Sequence, residues 1–192
     1  MCGLLALLLL LVPAAATARS LEIREMHASI VVARSGTVTV TERFTVNFIG
    51  EWNGLYRVIP VEYNTRHGMN YTLRLDIVSV TDGAGNALRY EVERTGGSRR
   101  IKMWVPDANN ATRTIVLTYR VDNALRFFEE HDELYWNVTG AEWDFPIRNV
   151  TAQVMLPEEV TEGLDDGLPV LAALAHVSIV LTPVSKMQTP GR

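Results

Sequence analysis

The chain has 192 residues, of which 47% are hydrophobic and 21% are charged, and its formal net charge is −4. This balance predicts one globular domain followed by a tail, and it argues against nucleic-acid binding, which needs a basic surface. The single cysteine, Cys2, lies inside the segment interpreted below as a cleaved signal, so a disulfide framework and a cysteine-type zinc site are both excluded.

The first eighteen residues have the pattern of an export signal. A nearly continuous leucine run at 3–12 is followed by small residues that include Ala16 and Ala18. The run is shorter than the roughly 20 apolar residues that cross a bilayer, and the two alanines are typical of a signal-peptidase site. We therefore expect a signal peptide at 1–18. The alternative is an N-terminal anchor helix that is retained.

From residue 19 onward, apolar and polar residues alternate with the period of a β-strand. The first such stretch contains Leu21 and Ile23 and ends at a Ser35-Gly36 turn. The clearest strand is 37–48, where valine and phenylalanine occupy one parity and threonine, arginine and asparagine occupy the other, which predicts one buried and one wet face. Glu42 lies on the apolar parity, so it indicates either a partnered buried carboxylate or a β-bulge.

Shorter strands separated by glycine, proline and asparagine turns follow in order. The pattern predicts a strand ending at Pro60, a strand over 71–80 and a hairpin through the turn at 82–86. Further strands are predicted at 101–105, 114–121 and 148–156, and 123–130 is the one predicted helical turn. This succession predicts an all-β fold, an antiparallel β-sandwich with little helix.

The chain changes character after this body. Residues 168–181 are apolar but are interrupted by Pro169 and His176, so a membrane span is not expected there, although a lipid-facing segment is the alternative. We therefore divide the chain into a signal peptide at 1–18, an extracytoplasmic β-sandwich domain at 19–159 and a divergent C-terminal tail at 160–192.

Three short segments carry a family resemblance. They are Thr-Val-Thr-Glu at 39–42, Gly-Leu-Tyr-Arg-Val-Ile-Pro at 54–60, and Asp-Glu-Leu-Tyr-Trp-Asn-Val-Thr-Gly-Ala-Glu-Trp at 132–143. Over 21–159 the chain resembles the predicted membrane protein family with the domain of unknown function 2207. The resemblance implies an exported β-domain that is usually followed by transmembrane helices, with no catalytic or binding residues to transfer. No clear span precedes Arg192, which indicates a truncated gene or a released form.

The stretch 133–147 is the densest in aromatic, acidic and glycine residues. Tryptophan and tyrosine beside hydrogen-bonding groups could stack on a sugar or bind an extended peptide at a sheet edge. In the alternative interpretation Trp136 and Trp143 belong to the core, and Glu142 pairs with Arg57 or Arg148. The candidate ligand-binding residues are Tyr135, Trp136, Asn137, Glu142, Trp143 and Asp144.

The same stretch also invites an enzymatic interpretation. His131, Asp132, Glu133, Glu142 and Asp144 could form a carboxylate pair of the glycosidase type, but sequence spacing does not set the required separation. Adjacent residues on a strand point to opposite faces, which disfavours a metal site. We therefore assign no catalytic residue, metal site or cofactor.

The sequence thus predicts a non-enzymatic, exported, membrane-associated domain that acts as an interaction module outside the cytoplasm. Its expected partner is an unknown protein or cell-envelope ligand. The alternative is a carbohydrate-binding or cell-wall-active domain that uses the segment containing Trp136 and Trp143.

Overall fold

The computed structural model describes residues 19–64, 70–127, 132–140, 143–157 and 177–181. Those residues form β-strands joined by turns, and none of them lies in a helix, so the predicted all-β class is confirmed. The strands are β1 (Ser20–Val32), β2 (Val38–Glu51), β3 (Gly54–Pro60), β4 (Glu62–Asn64), β5 (Asn70–Thr72), β6 (Arg74–Asp82), β7 (Tyr90–Thr95), β8 (Ser98–Trp104), β9 (Asn109–Asp122), β10 (Leu125–Phe127), β11 (Asp132–Trp136), β12 (Ile147–Met155) and β13 (Val177–Leu181).

A five-stranded sheet in the order β12-β1-β2-β9-β6 forms the larger layer. Its longest strands, β2 and β9, have 14 residues each and run antiparallel. The alternation predicted for β2 is confirmed, because Val38, Val40, Phe44 and Val46 are fully buried while the intervening threonines are half-buried. The sheet is antiparallel except at one edge, where β12 runs parallel to β1.

A second sheet, β3-β8-β7, packs against the first. Its inward side chains Leu55, Ile59, Ile101 and Met103 are at most 3% exposed and belong to the same hydrophobic core as Phe44. Burial of each large apolar side chain contributes roughly 1.5–3 kcal/mol, so this shared core holds the layers together. The smaller sheets β10-β11-β13 and β4-β5 complete the fold, and the predicted arrangement of mostly antiparallel sheets is confirmed.

The hairpin predicted through 82–86 forms only beside its turn, where Thr81 and Ala87 form an antiparallel bridge and the backbone N–H of Leu88 donates to the carbonyl of Val80 at 2.9 Å. The turn forms, because the backbone N–H of Asp82 donates to the carbonyl of Asn86 at 2.9 Å. The following strand, β7, does not pair with β6. It pairs with β8, beginning with Tyr90 opposite Met103. Leu88 lies in the shared core just before β7, so its burial accompanies the crossing of the chain from one sheet to the other.

The helical turn predicted at 123–130 is also wrong where the structure describes it. Asn123 has a φ of +65°, in the left-handed region that asparagine adopts more readily than most residues, and this conformation ends β9. The next residues form β10, in which Leu125 pairs with Leu134 of β11. Pairing between strands therefore replaces the expected local helix, and 128–130 lie outside the described residues.

The end of the described chain adds two strands. β12 confirms the strand predicted at 148–156, and β13, in the segment assigned to the tail, pairs antiparallel with β11. Residues 1–18 and most of 160–192 lie outside the described residues. The signal peptide and the domain boundary at 159 therefore stay predictions.

Candidate functional site

Arg57 of β3 and Glu42 of β2 form an ion pair inside the core, with side chains that are 2% and 0% exposed. The guanidinium donates from Nε to Oε2 at 2.8 Å and from Nη2 to Oε1 at 2.7 Å, which is the bidentate geometry of a strong arginine–carboxylate pair. The hydroxyl of Tyr119 on β9 donates to Oε1 of Glu42 at 2.8 Å. Of the two predicted alternatives, Glu42 is therefore the partnered buried carboxylate.

Backbone carbonyls accept the other hydrogens of the Arg57 guanidinium. Nη1 donates to the carbonyl of Val58 at 3.2 Å and to that of Thr139 at 3.0 Å. Nη2 donates to the carbonyl of Val138 at 3.0 Å. A guanidinium has five N–H donors, and with the two bonds to Glu42 all five are used. The buried charge is thus fully hydrogen-bonded.

The charge states of this cluster follow from its environment. Burial lowers the pKa of Arg57, but the charge of Glu42 and its hydrogen bonds outweigh burial and hold that pKa above its ordinary value. Burial, and after it the negative charge of Glu42, raises the pKa of Tyr119 well above its ordinary value. At neutral pH the arginine is therefore charged and the tyrosine is a neutral hydrogen-bond donor.

The three segments that carry the family resemblance meet at this cluster. Segment 39–42 supplies Glu42, segment 54–60 supplies Arg57, and segment 132–143 supplies the carbonyls of Val138 and Thr139. Distant parts of the chain thus share one buried polar contact. The cluster explains why these sequence motifs occur together, and it gives them a structural role.

The loop after β11 is shaped to fit against Arg57. Gly140 has a φ of +74°, and a Cβ atom added there would lie 2.3 Å from Nη1 of Arg57. The side-chain oxygen of Asn137 accepts a hydrogen bond from the backbone N–H of Gly140 at 2.8 Å. Asn137, a candidate ligand-binding residue, therefore stabilises this turn.

The candidate residues on β11 do not form one surface. Trp136 is 4% exposed, and its ring centroid lies 6.2 Å from that of Tyr119 in a stacked arrangement. Tyr135 is 38% exposed, because consecutive residues of a strand point to opposite faces. Trp136 thus belongs to the core, as in the alternative interpretation.

Trp143 and Asp144 lie elsewhere, at the surface. The ring of Trp143 packs against Phe44, with 5.6 Å between centroids, and lies 5.5 Å from Cζ of Arg57. Its indole N–H donates to the carbonyl of Thr139, and the residue is half-buried. Asp144 is exposed. The ligand-binding role of the predicted set stays a prediction, and within it these two residues lie beside a groove.

Two residues of the acidic stretch, His131 and Glu142, lie outside the described residues. The arginines that were expected to pair with Glu142 have other partners. Arg57 binds Glu42, and Arg148 binds Glu22.

The groove beside Trp143 has a volume of about 370 Å³. Its aromatic wall combines residues from the β2–β3 connection, β3, β8 and the segment before β12. Polar groups also face it, including the side chains of Arg19 and Lys102. The lining side chains that bear on function are Arg19, Trp52, Asn53, Tyr56, Lys102, Trp104, Trp143, Asp144 and Phe145.

Ring contacts hold the groove in shape. The indole N–H of Trp52 donates to the carbonyl of Ile49 at 3.0 Å, and its ring meets that of Phe145 edge-on at 5.4 Å. Cζ of Arg19 lies 4.4 Å from the Trp52 ring centroid, and Nζ of Lys102 lies 4.5 Å from that of Trp104. Such cation–aromatic contacts orient the charged groups at the groove surface.

Gly54 allows the strands beneath the groove to approach closely. It has a φ of +147°, and an added Cβ atom would lie 1.9 Å from the carbonyl oxygen of Met103. A side chain at this position would therefore push β3 away from β8. This constraint accounts for the glycine that opens the segment 54–60.

Four residues that line the groove were not among the candidates predicted from the sequence, namely Arg19, Trp52, Lys102 and Trp104. One signal was available, because Lys102 and Trp104 alternate with the buried Met103 and so lie on the outer face of a strand. A tryptophan on a wet face is a binding-site signal.

The sequence matches the family described as predicted membrane protein (DUF2207) N-terminal domain over residues 22–182. The chain belongs to this family. The match reaches β13 and so extends beyond the 21–159 over which the motifs indicated the resemblance. A search of curated proteins found no match.

Solved structures with a similar fold include peptidases of low identity. Native yeast LTA4 hydrolase is 11% identical with a TM-score of 0.52, and its complex with Bestatin is 11% identical with a TM-score of 0.51; each match covers 71% of this chain and 23% of that one. An M1 zinc metallopeptidase mutant from Deinococcus radiodurans is 14% identical with a TM-score of 0.45, over 84% of this chain and 39% of that one. The chain spans about a quarter of the yeast enzyme, and this likeness concerns the fold alone.

Two further observations concern metal binding and membranes. Within the described ranges, no group of three or more histidine, cysteine, aspartate or glutamate side chains could hold a metal ion. The same ranges contain no helix of the length and hydropathy that a membrane crossing requires. Membrane association therefore rests on the family description.

Proposed function

We propose that this chain is a non-enzymatic, extracytoplasmic β-domain of a membrane-associated protein, and that it binds a cell-envelope ligand in the aromatic groove. The observation that carries the proposal is the groove itself. It brings together Trp52, Tyr56, Trp104, Trp143 and Phe145 from separate parts of the chain around a volume of about 370 Å³. Concave, largely apolar surfaces with a few polar groups are the usual form of ligand sites.

The state of the buried cluster supports binding over catalysis. Glu42, Arg57 and Tyr119 are enclosed in the core and hydrogen-bonded to one another, so a substrate could reach them only after the fold opened. Their role is therefore the stability of the domain. The carboxylate beside the groove, Asp144, is exposed and suits ligand binding.

Export is the second part of the proposal. The leucine run and the small residues at 16–18 support a cleaved signal peptide, and family membership supports a membrane-associated protein. The segment that contains Trp136 and Trp143 contributes to binding through its second tryptophan and Asp144. A cell-wall-active enzyme is the second candidate, because the same carboxylate lies at an aromatic groove.

Retention of the purified full chain on isolated cell envelopes tests the proposal. We expect Tyr56→Ala and Trp104→Ala each to weaken retention severalfold, because both side chains line the groove. Tyr90→Ala is the matched control, since Tyr90 is 38% exposed and lies outside the groove. Equal retention of all variants would exclude the groove. Release of cleaved envelope products by the wild-type chain would favour the enzymatic candidate.

A further inference from the structure

Two cations at the groove lack carboxylate partners among the described residues. Arg19 and Lys102 each contact a tryptophan ring, at 4.4 Å and 4.5 Å, and no described carboxylate lies within ion-pair distance of either. Glu91 is the residue opposite Lys102 in the β7–β8 pairing, but it binds Arg89 at 2.9 Å instead.

We propose that the groove binds an acidic saccharide whose carboxylate contacts Lys102 and Arg19. This inference rests on the proposed function and adds the chemical class of the ligand. The charged groups of Lys102 and Arg19 already cover ring surfaces of Trp104 and Trp52, so a ligand there meets hydrogen-bond donors and positive charge. A carboxylate accepts strong, charge-assisted hydrogen bonds from such donors.

The remaining lining suits the neutral part of a sugar. Trp143 and Phe145 present aromatic carbon to the groove, which matches the apolar C–H face of a pyranose ring. Asn53 and Asp144 supply amide and carboxylate groups for sugar hydroxyls. The groove therefore combines an apolar wall, hydroxyl-binding groups and two cations.

The size and shape of the groove favour this ligand over other acidic partners. Its volume of about 370 Å³ is near the lower limit of small-ligand pockets, which hold roughly 300–1,000 Å³. One or two sugar units suit a concave space of this size, whereas the surface of a bilayer is too extended to enter it. An acidic peptide is the competing occupant, and it lacks the apolar pyranose face that matches the rings of Trp143 and Phe145.

Calorimetric titration of the full chain with oligomers of galacturonate and glucuronate tests the inference. Each oligomer is compared with its carboxyl-reduced, neutral form. We expect at least one acidic oligomer to bind, its reduced form to bind about tenfold more weakly, and higher salt to weaken only the acidic form. Lys102→Gln should weaken the acidic oligomer roughly threefold to fivefold, as expected for one exposed ion pair, and weaken the neutral form by a smaller factor.

Arg120→Gln is the matched control, because it removes the same charge from an exposed position on β9, outside the groove. An equal effect of both substitutions would contradict a specific contact. Equal binding of acidic and neutral oligomers, or no binding of any acidic oligomer, would overturn the inference.

Polyglutamate or phosphatidylglycerol vesicles are tested as alternative ligands. If either binds only when Lys102 is intact, and no oligouronate binds, the groove would be assigned to a peptide or a lipid. If envelope retention still depends on Tyr56 and Trp104 in those cases, the proposed function survives without the acidic saccharide.

Discussion

The ion pair between Glu42 and Arg57 has to offset the loss of water around two charges. Moving each charge into a protein interior costs several kcal/mol, and the mutual attraction offsets that cost only when the remaining donors and acceptors are bound. Here the carboxylate also accepts from Tyr119, and the carbonyls of Val138 and Thr139 bind the guanidinium. The pair is therefore sensitive to removal of either partner.

The substitution Glu42→Gln keeps the shape of the side chain but leaves the Arg57 charge unpaired in the core. We expect the free energy of unfolding, measured by urea denaturation, to fall by about 3–5 kcal/mol. Glu93→Gln is the control, because Glu93 and Arg100 form an exposed pair at 3.2 Å, and a change of no more than about 1 kcal/mol is expected there. Similar losses in the two variants would show that burial of the first pair is energetically unimportant.

The close packing of Gly140 against Arg57 leads to a second prediction about stability. Gly140→Ala would place a Cβ atom 2.3 Å from Nη1 of Arg57 at a position with a φ of +74°. Gly96→Ala is matched in conformation, with a φ of +56°, but its Cβ would meet open space. We expect Gly96→Ala to cost about 1–2 kcal/mol of unfolding free energy through backbone strain, and Gly140→Ala to cost about 1–3 kcal/mol more. Equal losses would contradict the close packing of this loop.

The raised pKa of Tyr119 leads to a prediction about the stability of the fold at alkaline pH. Its pKa in the folded state lies well above the ordinary value of 10, so below pH 10 its contribution is fully present. As pH rises from about 10 toward the folded pKa, the unfolded chain loses this proton while the folded chain keeps it, and stability falls by about 1.4 kcal/mol per pH unit. Urea denaturation between pH 8 and 11 measures this slope, and Tyr119→Phe should reduce it. Burial raises the pKa of Tyr63 to about 12, so a residual slope remains.

The alternation of apolar and polar residues in the sequence predicted part of the arrangement around Glu42. Glu42 was recognisable because it interrupts a run of buried positions, and that pattern alone requires a partner or a bulge. The partner could not be predicted, because Arg57 lies on a different sheet and reaches Glu42 only when the layers pack. The groove residues were missed for the same reason, since Trp52, Trp104 and Trp143 become neighbours only in the folded chain.

At the scale of elements, local turn chemistry was predictable and strand partners were less so. The carboxylate of Asp82 accepts hydrogen bonds at 2.9 Å from the backbone N–H groups of Ala84 and Asn86, which is the usual way that aspartate forms a turn. The chain stays paired with β6 as far as Leu88 and joins β8 from Tyr90 onward, and this change of partner is a tertiary event that local turn chemistry does not determine. The strand β10 was missed because its pairing with β11 is also tertiary.

The pairing of β13 with β11 yields a prediction at this scale. Ile179 pairs with Leu134 in the middle of that ladder, and proline there would remove a backbone donor and exclude regular pairing. We expect Ile179→Pro to lower the hydrogen-exchange protection of β11 amides at least tenfold. Ile179→Ala is the control, because it keeps the backbone N–H. Unchanged protection in the proline variant would support an independent domain that ends at 159.

At the scale of the whole molecule, the structural role and the proposed binding role belong to different places. The family segments meet at the buried Arg57, whereas the groove opens at the surface, and Trp143 contacts both. Substitutions in the core should therefore reduce stability, and substitutions at Tyr56 or Lys102 should reduce binding with little loss of stability. The partial likeness to yeast LTA4 hydrolase concerns the fold alone and leaves this division unchanged.

Composition and periodicity were sufficient to predict an all-β chain in mostly antiparallel sheets, because strand alternation reports which face is buried. They could not predict that β12 runs parallel to β1, since that orientation depends on the path of the chain between the layers. The membership in a membrane-protein family followed from short motifs. The groove did not, because the residues that line it come from separate regions of the chain.

The four tryptophans allow one measurement to test the central claim, that the ligand binds in the groove and not along β11. The indole N–H resonances of the ¹⁵N-labelled full chain are recorded while the bound envelope component is added, after assignment by single Trp→Phe variants. We predict shifts for Trp52, Trp104 and Trp143, which line the groove, and an unmoved signal for the core residue Trp136. A shift of the Trp136 signal, with the three groove signals unmoved, would contradict the account.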